Sequence, residues 1–194
     1  MATIILAGGS SDRMGQDKAS IAIEGSTILQ ALVCRFADGL GPVIVVGRQE
    51  QGLEVERATV VHDIYQQAGP LGGLHAGLLA SPDEESFVLA CDMPFADPEL
   101  ARYMLTRLSD HDAVVPVLER GPEPLFAVYR KSCLGAVESS IAAGRLRMRD
   151  ALERLDVLYV PEDKIRERDP DLRSFVNINT PEDYLTALRS LQAL

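Results

Sequence analysis

Hydrophobic residues along the chain fall into short, nearly continuous runs that alternate with segments of helical spacing. Runs that are apolar at successive positions are typical of strands covered on both faces of a sheet. They predict strands at Thr3–Leu6, Val43–Val46, Thr59–Val61, Phe87–Ala90, Ala113–Pro116, Phe126–Tyr129, Val157–Val160 and Phe175–Val176. The intervening segments predict helices at Thr27–Ala37, Leu74–Ala80, Pro98–Leu108, Leu134–Ala143, Met148–Leu155 and Pro181–Leu191.

The order of these elements predicts the fold class. Asp97-Pro98 and Thr180-Pro181 each place a capping side chain before a first-turn proline, which favours helix starts there. Strand–helix alternation indicates an α/β protein, a Rossmann-like three-layer sandwich with a mostly parallel central sheet. The length of 194 residues suits a single domain, residues 1–194. Because ligands bind beyond the carboxyl ends of strands in such sheets, functional residues are expected directly after strands.

Charge and cysteine content restrict the classes of partner. The formal net charge of −10 argues against nucleic acid or an anionic membrane as a partner. The cysteines at 34, 91 and 133 form no CxxC pair, and we expect small core residues in a reducing cytoplasm. The apolar start at Ile4–Ala7 runs directly into glycines, unlike a signal peptide, and no apolar run approaches the ~20 residues of a membrane span.

The segment after the first strand concentrates glycines and positive charge. Gly8, Gly9 and Gly15 allow backbone N–H groups to approach phosphate oxygens closely, and Arg13 and Lys18 supply the charge that a triphosphate needs. The spacing matches neither the Walker pattern nor the G-x-G-x-x-G fingerprint. The segment therefore predicts a phosphate-binding loop of a different kind, with a surface loop carrying incidental basic residues as the alternative.

Two acidic residues and a second glycine-rich segment also follow strands. Asp92 ends an apolar strand, where a carboxylate can hold Mg²⁺ that shares its ligands with substrate phosphates; its alternative role is a turn cap before Pro94. Asp63 follows the third strand and could bind a base or sugar, or lie in solvent. Gly69–Gly73 precedes a helix and could present N–H groups to an anion or form a structural turn.

Two segments are candidates for contacts with a second substrate. Arg145, Arg147 and Arg149 could bind a phosphate, because guanidinium groups suit bidentate phosphate contacts, or form a solvated helix face. Asn177 and Asn179 alternate at the end of a predicted strand, which would point both amides to one side. They could bind metal or ribose, or hold the turn that follows.

Four sequence motifs lie along the chain: Leu6-Ala7-Gly8-Gly9 with Arg13-Met14-Gly15 and Asp17-Lys18, then Gly69-Pro70-Leu71-Gly72-Gly73, Asp92-Met93-Pro94, and Asn177-Ile178-Asn179-Thr180-Pro181-Glu182-Asp183. Together they resemble those of the molybdenum cofactor guanylyltransferases, and the resemblance extends from residue 3 to about residue 185. The first and third motifs are shared with related nucleotidyltransferases, and the last is the more discriminating. The resemblance implies a fold of the nucleotide-diphospho-sugar transferase type.

The resemblance also implies a reaction and its partners. GMP would pass from Mg²⁺-bound GTP to the phosphate of molybdopterin-bound molybdenum cofactor, with release of pyrophosphate and formation of the guanine dinucleotide cofactor. GTP and molybdopterin would be the substrates, and molybdoenzyme apo-proteins or their chaperones the candidate protein partners. The residues implied to bind GTP are Leu6, Ala7, Gly8, Gly9, Lys18, Asp63 and Asp92.

Within this set, the resemblance implies distinct roles. Lys18 would contact the triphosphate and Asp92 would bind Mg²⁺, and these two residues with Arg13 are the expected catalytic residues. Asn179 would assist at the metal. Family members carry an Asn-containing stretch after the second strand that helps bind GTP. Here the corresponding stretch is Gly47–Gln49, and no role is assigned to it from sequence.

Other functions remain open at this point. Cytidylyl transfer from CTP fits the same motifs, because the base preference rests on contacts that a sequence does not display. A nucleotide-sugar pyrophosphorylase is a further alternative, although the chain is short for one. A carrier module that binds nucleotide or molybdopterin without turnover would not need Asp92 and Lys18. Direct attack of an acceptor phosphate on the α-phosphorus needs no protein nucleophile, and no paired Ser, Cys or His suggests one.

Overall fold

The computed structural model describes residues 1–8, 22–23, 26–65, 67–178, 180, 182–183, 185–186 and 189, with the backbone alone at 22–23 and 26. Its strands are β1 Ala2–Leu6, β2 Ala22–Ile23, β3 Ser26–Thr27, β4 Val43–Gly47, β5 Ala58–His62, β6 Glu85–Ala90, β7 Ala113–Leu118, β8 Gly121–Pro122, β9 Phe126–Arg130 and β10 Val157–Pro161. Its α-helices are α1 Ile28–Gly39, α2 Pro70–Ala80, α3 Pro98–Thr106, α4 Leu134–Ala142, α5 Met148–Leu152 and α6 Glu162–Arg166.

A mixed, mostly parallel sheet forms the centre of the fold, in the order β10-β7-β9-β6-β1-β4-β5. The strands β6, β1, β4 and β5 run parallel to one another, as do β7 and β10. Strand β9 lies antiparallel between β6 and β7, and the short β8 pairs with the end of β7. Strands β2 and β3 form a separate antiparallel pair. The predicted α/β fold with a mostly parallel sheet is confirmed.

Two hydrophobic layers cover the two faces of this sheet. In β1, Ile4 and Leu6 pack with residues of α2, α4 and α5, whereas Ile5 packs with residues of α1, α3 and α6. Successive side chains of a strand point to opposite faces, so a strand buried on both faces must be apolar at every position. This requirement explains the continuous apolar runs of the sequence and gives the predicted three-layer arrangement.

Helix α2 lies unusually close to β1 because glycines face the strand. A Cβ atom added at Gly77 would lie 2.3 Å from Cγ2 of Ile4, and one at Gly73 would lie 3.2 Å from Cδ2 of Leu6. On its other side, the buried His75 pairs through Nε2 with Glu138 of α4 at 3.1 Å. The glycines therefore bring the start of α2 against the carboxyl end of β1, where a ligand is expected.

Helix starts follow the capping signals in the sequence. Thr27 caps α1 by accepting a hydrogen bond from the Gln30 N–H at 3.1 Å, and Asp97 caps α3 by accepting one from the Glu99 N–H at 2.8 Å. Near the chain end, Thr180 Oγ1 accepts from the Asp183 N–H while the Asp183 carboxylate accepts from the Thr180 N–H. Most of the predicted helix 181–191 lies outside the described residues.

The predicted strand at Phe175–Val176 is wrong. Residues Arg173–Phe175 form a 3₁₀ turn, because the buried Asp169 carboxylate accepts hydrogen bonds from the N–H groups of both Arg173 and Ser174. Phe175 and Ile178 are the buried apolar residues here, and their spacing of three does not suit a strand. The expectation that strand alternation points the Asn177 and Asn179 amides to one side therefore loses its basis.

Smaller differences concern short elements and the cysteines. The sequence did not predict β2, β3, β8 or α6, each five residues or fewer. Cys91 and Cys133 are buried as expected, and burial raises the pKa of Cys133 to about 12, whereas Cys34 is only half-buried. Over the described part of the chain, no helix combines the length and apolar character needed to cross a bilayer.

Candidate functional site

A cleft of about 950 Å³ opens where the parallel strands β1, β4, β5 and β6 end. The cleft combines backbone from the end of β1, side chains that follow each neighbouring strand, and the start of α2. Its lining residues are Leu6, Ala7, Gly8, Val46, Gly47, Arg48, Glu50, Gln51, Asp63, Gln67, Gly69, Pro70, Gly73, Ala90, Cys91, Asp92 and Leu125. The position agrees with the expectation that ligands bind at the carboxyl edge of the sheet.

The end of β1 is held on one side by a short turn after β4. Gln51 Nε2 donates to the Ala7 carbonyl at 3.2 Å, and Arg48 Nε donates to the Gly8 carbonyl at 3.0 Å. Gln51 Oε1 in turn accepts from the Arg48 N–H at 2.7 Å. These bonds fix the backbone at the point where the predicted phosphate-binding loop begins.

Asp63 lies half-buried at the end of β5 and lines the cleft. Its Oδ1 accepts a hydrogen bond from the Tyr65 N–H at 2.7 Å, which closes a tight turn that aspartate favours. Burial raises the pKa of the Asp63 carboxyl, and the Tyr65 hydrogen bond and the nearby His75 oppose that rise. The structure thus places this sequence-predicted residue in the cleft.

The carboxylate of Asp63 fits because residue 72 has no side chain. A Cβ atom at Gly72 would lie 2.6 Å and 2.7 Å from the two carboxylate oxygens of Asp63 and 2.8 Å from the Tyr65 carbonyl oxygen. These separations are well below van der Waals contact, so either the carboxylate or the turn would have to move. Gly72 is therefore a steric requirement for the position of Asp63.

Gly72→Ala is expected to lower the free energy of unfolding by about 1–3 kcal/mol, the usual cost of overpacking a tight site. Urea unfolding measures this loss. Gly135→Ala is the matched control, because Gly135 lies in helix α4 and an added Cβ there would meet no described atom within 4 Å beyond its chain neighbours and its own helix backbone. In that variant alanine should stabilise the helix slightly. Equal stability of the two variants would contradict the steric assignment.

Residues 70–73 form the first turn of α2 and Gly69 is its N-cap, so the expectation that the whole segment precedes the helix is wrong. Pro70 opens the helix, and Gly69 adopts φ of +58° as its cap. Proline suits this first position because its missing N–H has no partner there in any helix. The N–H groups of Gly72 and Gly73 both donate to the Gly69 carbonyl, at 3.1 and 3.3 Å, so they are engaged within the helix.

Asp92 follows β6 and lines the cleft next to the end of β1. The Cys91 N–H donates to the Leu6 carbonyl at 3.1 Å, which continues the β1–β6 pairing to the residue before Asp92. The carbonyl of Asp92 accepts from the Ile178 N–H at 2.8 Å. Asn177 and Ile178 are therefore brought beside Asp92, and Asn179 lies outside the described residues.

Buried contacts hold the loop that carries Asp92. The Arg35 guanidinium of α1 donates to the carbonyls of Pro94 and Ala96, and the Asp97 N–H donates to Ser174 Oγ at 3.3 Å. Met93 and Ala96 are almost fully buried between these contacts. The backbone position of Asp92 is thus set by packing and hydrogen bonds outside the cleft.

The chemistry of the donor set fits a magnesium ion that shares its ligands with a substrate. Across the residues that the structure describes, no group of three or more His, Cys, Asp or Glu side chains could hold a metal. Mg²⁺ needs no such cage, because it commonly binds one or two carboxylates together with substrate phosphates and water. The single carboxylate of Asp92 suits that mode and would suit a structural zinc site poorly.

Other residues predicted from sequence lie elsewhere. Gly9, Arg13 and Lys18 fall outside the described residues. Arg145, Arg147 and Arg149 lie at the exposed junction of α4 and α5 and are not among the residues that line the cleft. The guanidinium of Arg145 pairs with Asp150 at 3.3 Å and with Glu153 at 2.6 Å.

Sequence reasoning missed Arg48, Glu50, Gln51, Gln67 and Leu125 as cleft residues. Arg48 directly follows a buried strand, so the rule that sites follow strands could have found it. Leu125 precedes β9, and it reaches this edge because β9 is antiparallel to β6. No sequence signal marked that reversal.

Comparison with known proteins agrees with this geometry. Residues 3–158 match the family described as the MobA-like NTP transferase domain. A protein of Pelotomaculum thermopropionicum called "Probable molybdenum cofactor guanylyltransferase" is 38% identical over 185 residues, covering 95% of this chain and 90% of the relative. The molybdenum cofactor guanylyltransferase of Desulfosudis oleivorans is 34% identical over 192 residues, covering 98% and 95%.

A solved structure matches over the whole chain. The molybdopterin-guanine dinucleotide biosynthesis protein A of Archaeoglobus fulgidus has 30% sequence identity and a TM-score of 0.85, covering 100% of both chains. The family match and these relatives, together with the fold, show that the chain is a nucleotidyltransferase. Within that class, the chain belongs to the MobA-like NTP transferase family.

Proposed function

We propose that this protein transfers GMP from GTP to the phosphate of molybdopterin-bound molybdenum cofactor and releases pyrophosphate. The observation that carries the proposal is that Ala7, Gly8 and Asp92 line the same cleft. The names of the relatives, which are guanylyltransferases of the molybdenum cofactor, supply the two substrates. The product is the guanine dinucleotide form of the cofactor.

The proposed reaction is a direct displacement at phosphorus. An oxygen of the acceptor phosphate forms a bond to the α-phosphorus of GTP, and the bond from the α-phosphorus to the bridging oxygen breaks. Pyrophosphate leaves with that electron pair. Such a reaction depends on positioning and on charge neutralisation rather than on a protein nucleophile.

In this proposal, each part of the cleft has one task. The backbone of Leu6, Ala7 and Gly8 lines the guanosine, and Asp63 lies beside it at the end of the neighbouring strand β5. Asp92 holds Mg²⁺, which when bound supplies charge neutralisation at the phosphates. Gly9, Arg13 and Lys18, outside the described residues, complete the triphosphate site.

Fewer contacts indicate which residues bind the acceptor substrate. Asn177 lies next to the Ile178 amide that bonds to Asp92 and is a candidate from the carboxyl-terminal motif. Asn179, outside the described residues, is the second candidate from that motif. Arg147 and Arg149 stay candidates for the acceptor's phosphate, through an approach over the α4–α5 junction. Apo-molybdoenzymes or their chaperones are the proposed recipients of the product, in the cytoplasm.

Isothermal titration with GTP and with CTP, each in Mg²⁺, tests the nucleotide assignment. We expect GTP to bind selectively. Preference for CTP would move the protein to cytidylyl transfer with the same cleft and the same displacement. If neither nucleotide bound, in the presence or absence of the acceptor, the proposed function would be rejected.

A further inference from the structure

Arg48 presents an available guanidinium edge to the cleft. Its Nε donates to the Gly8 carbonyl at 3.0 Å, and the residue is half-buried among the lining residues. Within the described part of the chain, its terminal nitrogens Nη1 and Nη2 have no carboxylate or carbonyl partner. Since a guanidinium carries five N–H donors in a rigid fork, the bond to Gly8 leaves the terminal pair for a ligand.

The surrounding residues fix the backbone of Arg48, and the bond from Nε to the Gly8 carbonyl orients its side chain. Gln51 Oε1 accepts from the Arg48 N–H at 2.7 Å, and the Gln51 N–H donates to the Arg48 carbonyl at 3.1 Å. Gly47 provides the space for this arrangement, because a Cβ there would lie 3.0 Å from Gln51 Oε1 and 2.5 Å from Leu53 Cδ1. Arg48 is therefore positioned before any ligand arrives.

Arg48 shares the cleft with carboxylates but pairs with none of them. The carboxylate residues of the described lining are Glu50, Asp63 and Asp92, and Arg48 is the only basic residue in that lining. In the described contacts, the Arg48 side chain bonds to the Gly8 carbonyl and to none of these carboxylates. Its terminal N–H donors are therefore not committed to a carboxylate and can bind acceptor atoms of a ligand.

The sheet separates Arg48 from the metal side of the cleft. Arg48 follows β4 and Asp92 follows β6, and β1 lies between these two strands. With about 4.8 Å between neighbouring strands, the ends of β4 and β6 lie roughly 10 Å apart. If Asp92 marks the phosphates, Arg48 lies on the side where the base extends over Ala7 and Gly8.

We infer that Arg48 determines the base specificity by donating two hydrogen bonds to O6 and N7 of guanine. This inference rests on the proposed function and assigns a role to the stretch after β4. Arginine donates to this pair of acceptors in a bidentate geometry, because its two N–H groups match the spacing of O6 and N7. Adenine presents an amino group in place of O6, and cytosine presents an amino group on its corresponding edge. With either base, an N–H donor of Arg48 would face an N–H donor of the base and could not form a hydrogen bond.

The test uses 7-deaza-GTP, which lacks the N7 acceptor and keeps the triphosphate and the Watson–Crick edge. For the wild-type protein in Mg²⁺, isothermal titration should show 7-deaza-GTP binding on the order of 10-fold more weakly than GTP. Arg48→Gln should weaken GTP binding by roughly 10- to 100-fold and should remove the difference between the two nucleotides. The loss of that difference is specific to a contact with N7.

Two further variants serve as controls for the role of Arg48. Arg48→Lys keeps the positive charge but lacks the paired N–H donors of the guanidinium, and we expect it to bind GTP nearly as weakly as Arg48→Gln. Arg107→Gln, an exposed change at the end of α3 outside the cleft lining, should bind both nucleotides as the wild type does. Circular dichroism establishes that each variant is folded before titration.

The other possible results distinguish the contact of Arg48 with guanine from the proposed transfer of GMP. Equal affinity of the wild-type protein for GTP and 7-deaza-GTP would overturn the role of Arg48 and leave guanylyl transfer standing. An equal loss for both nucleotides in Arg48→Gln, with rescue by Arg48→Lys, would instead assign Arg48 to a phosphate and overturn the base contact. Failure of the wild-type protein to bind either nucleotide would reject the proposed function itself.

Discussion

Asp92→Asn is expected to reduce the rate of GMP transfer by roughly 10³-fold or more, which corresponds to about 4 kcal/mol of transition-state stabilisation. The substitution keeps the size and most of the hydrogen bonding of the side chain but removes the charge that attracts Mg²⁺. The backbone contact from Ile178 to the Asp92 carbonyl does not involve the side chain and stays in place. Turnover at saturating GTP, measured over a series of Mg²⁺ concentrations, gives the comparison.

Asp110→Asn provides the matched control for this prediction. Asp110 is exposed and precedes β7, so it lies at the opposite edge of the sheet from the cleft. The same loss of charge there should leave turnover unchanged. A fully active Asp92→Asn enzyme at ordinary Mg²⁺ would reject the assignment of Asp92 as the metal ligand.

Phe87→Ala is expected to lower the free energy of unfolding by about 3–5 kcal/mol, a large part of the 5–15 kcal/mol typical of a domain. Phe87 is fully buried in β6, the strand that ends before Asp92. Its ring stacks on Phe36 with centroids 5.5 Å apart and meets the edge of Phe126 at 4.9 Å. Removal of the ring leaves a cavity between α1 and the sheet.

Denaturant unfolding of the Phe87→Ala protein measures this cost. Leu79→Ala removes an apolar side chain from an exposed position of α2 and should cost less than about 1 kcal/mol. If the two variants were equally stable, the aromatic cluster would not be a main support of β6. Because Phe126 also packs on Phe175 at 4.6 Å, Phe87→Ala should in addition loosen the segment that reaches Asp92.

Much of the fold could be predicted from sequence because burial on both faces leaves a clear pattern. β1, β4 and β6 are almost continuously apolar, and their predicted bounds agree with the structure to within two residues. The helix start at Pro98 follows from the capping residue Asp97, and the predicted start of the first helix at Thr27 lies one residue before Ile28, where α1 begins. These signals are local, so the chain displays them without any knowledge of distant contacts.

The errors arose where particular side-chain contacts, and not residue composition, decide the local structure. The segment around Phe175 has the composition of a strand, but the Asp169 carboxylate accepts hydrogen bonds from the Arg173 and Ser174 N–H groups and holds it in a turn. The glycines of α2 suggest a loop, yet they form a helix because α2 packs against β1 at Gly73 and Gly77. A capping carboxylate in the first place and packing in the second therefore overrode local propensity.

The candidate site was only partly visible in the sequence. Asp63 and Asp92 could be predicted because both follow parallel strands, and the structure places both in the cleft. Arg48 was left without a role, because Gly47–Gln49 stands where the resembling family carries an Asn-containing stretch. The bond that orients Arg48 joins it to the Gly8 carbonyl, 40 residues away in the sequence. Leu125 depends on the direction of β9, which alternating hydrophobicity does not reveal.

The central claim is transfer of GMP to an acceptor, and a single assay tests it most directly. The purified protein is incubated with Mg²⁺, molybdopterin-bound molybdenum cofactor and GTP labelled at the α-phosphate. The proposed function predicts that label enters the dinucleotide product and that one pyrophosphate is released for each label transferred. Label that remains in GTP, or appears in GDP with release of phosphate, would contradict it.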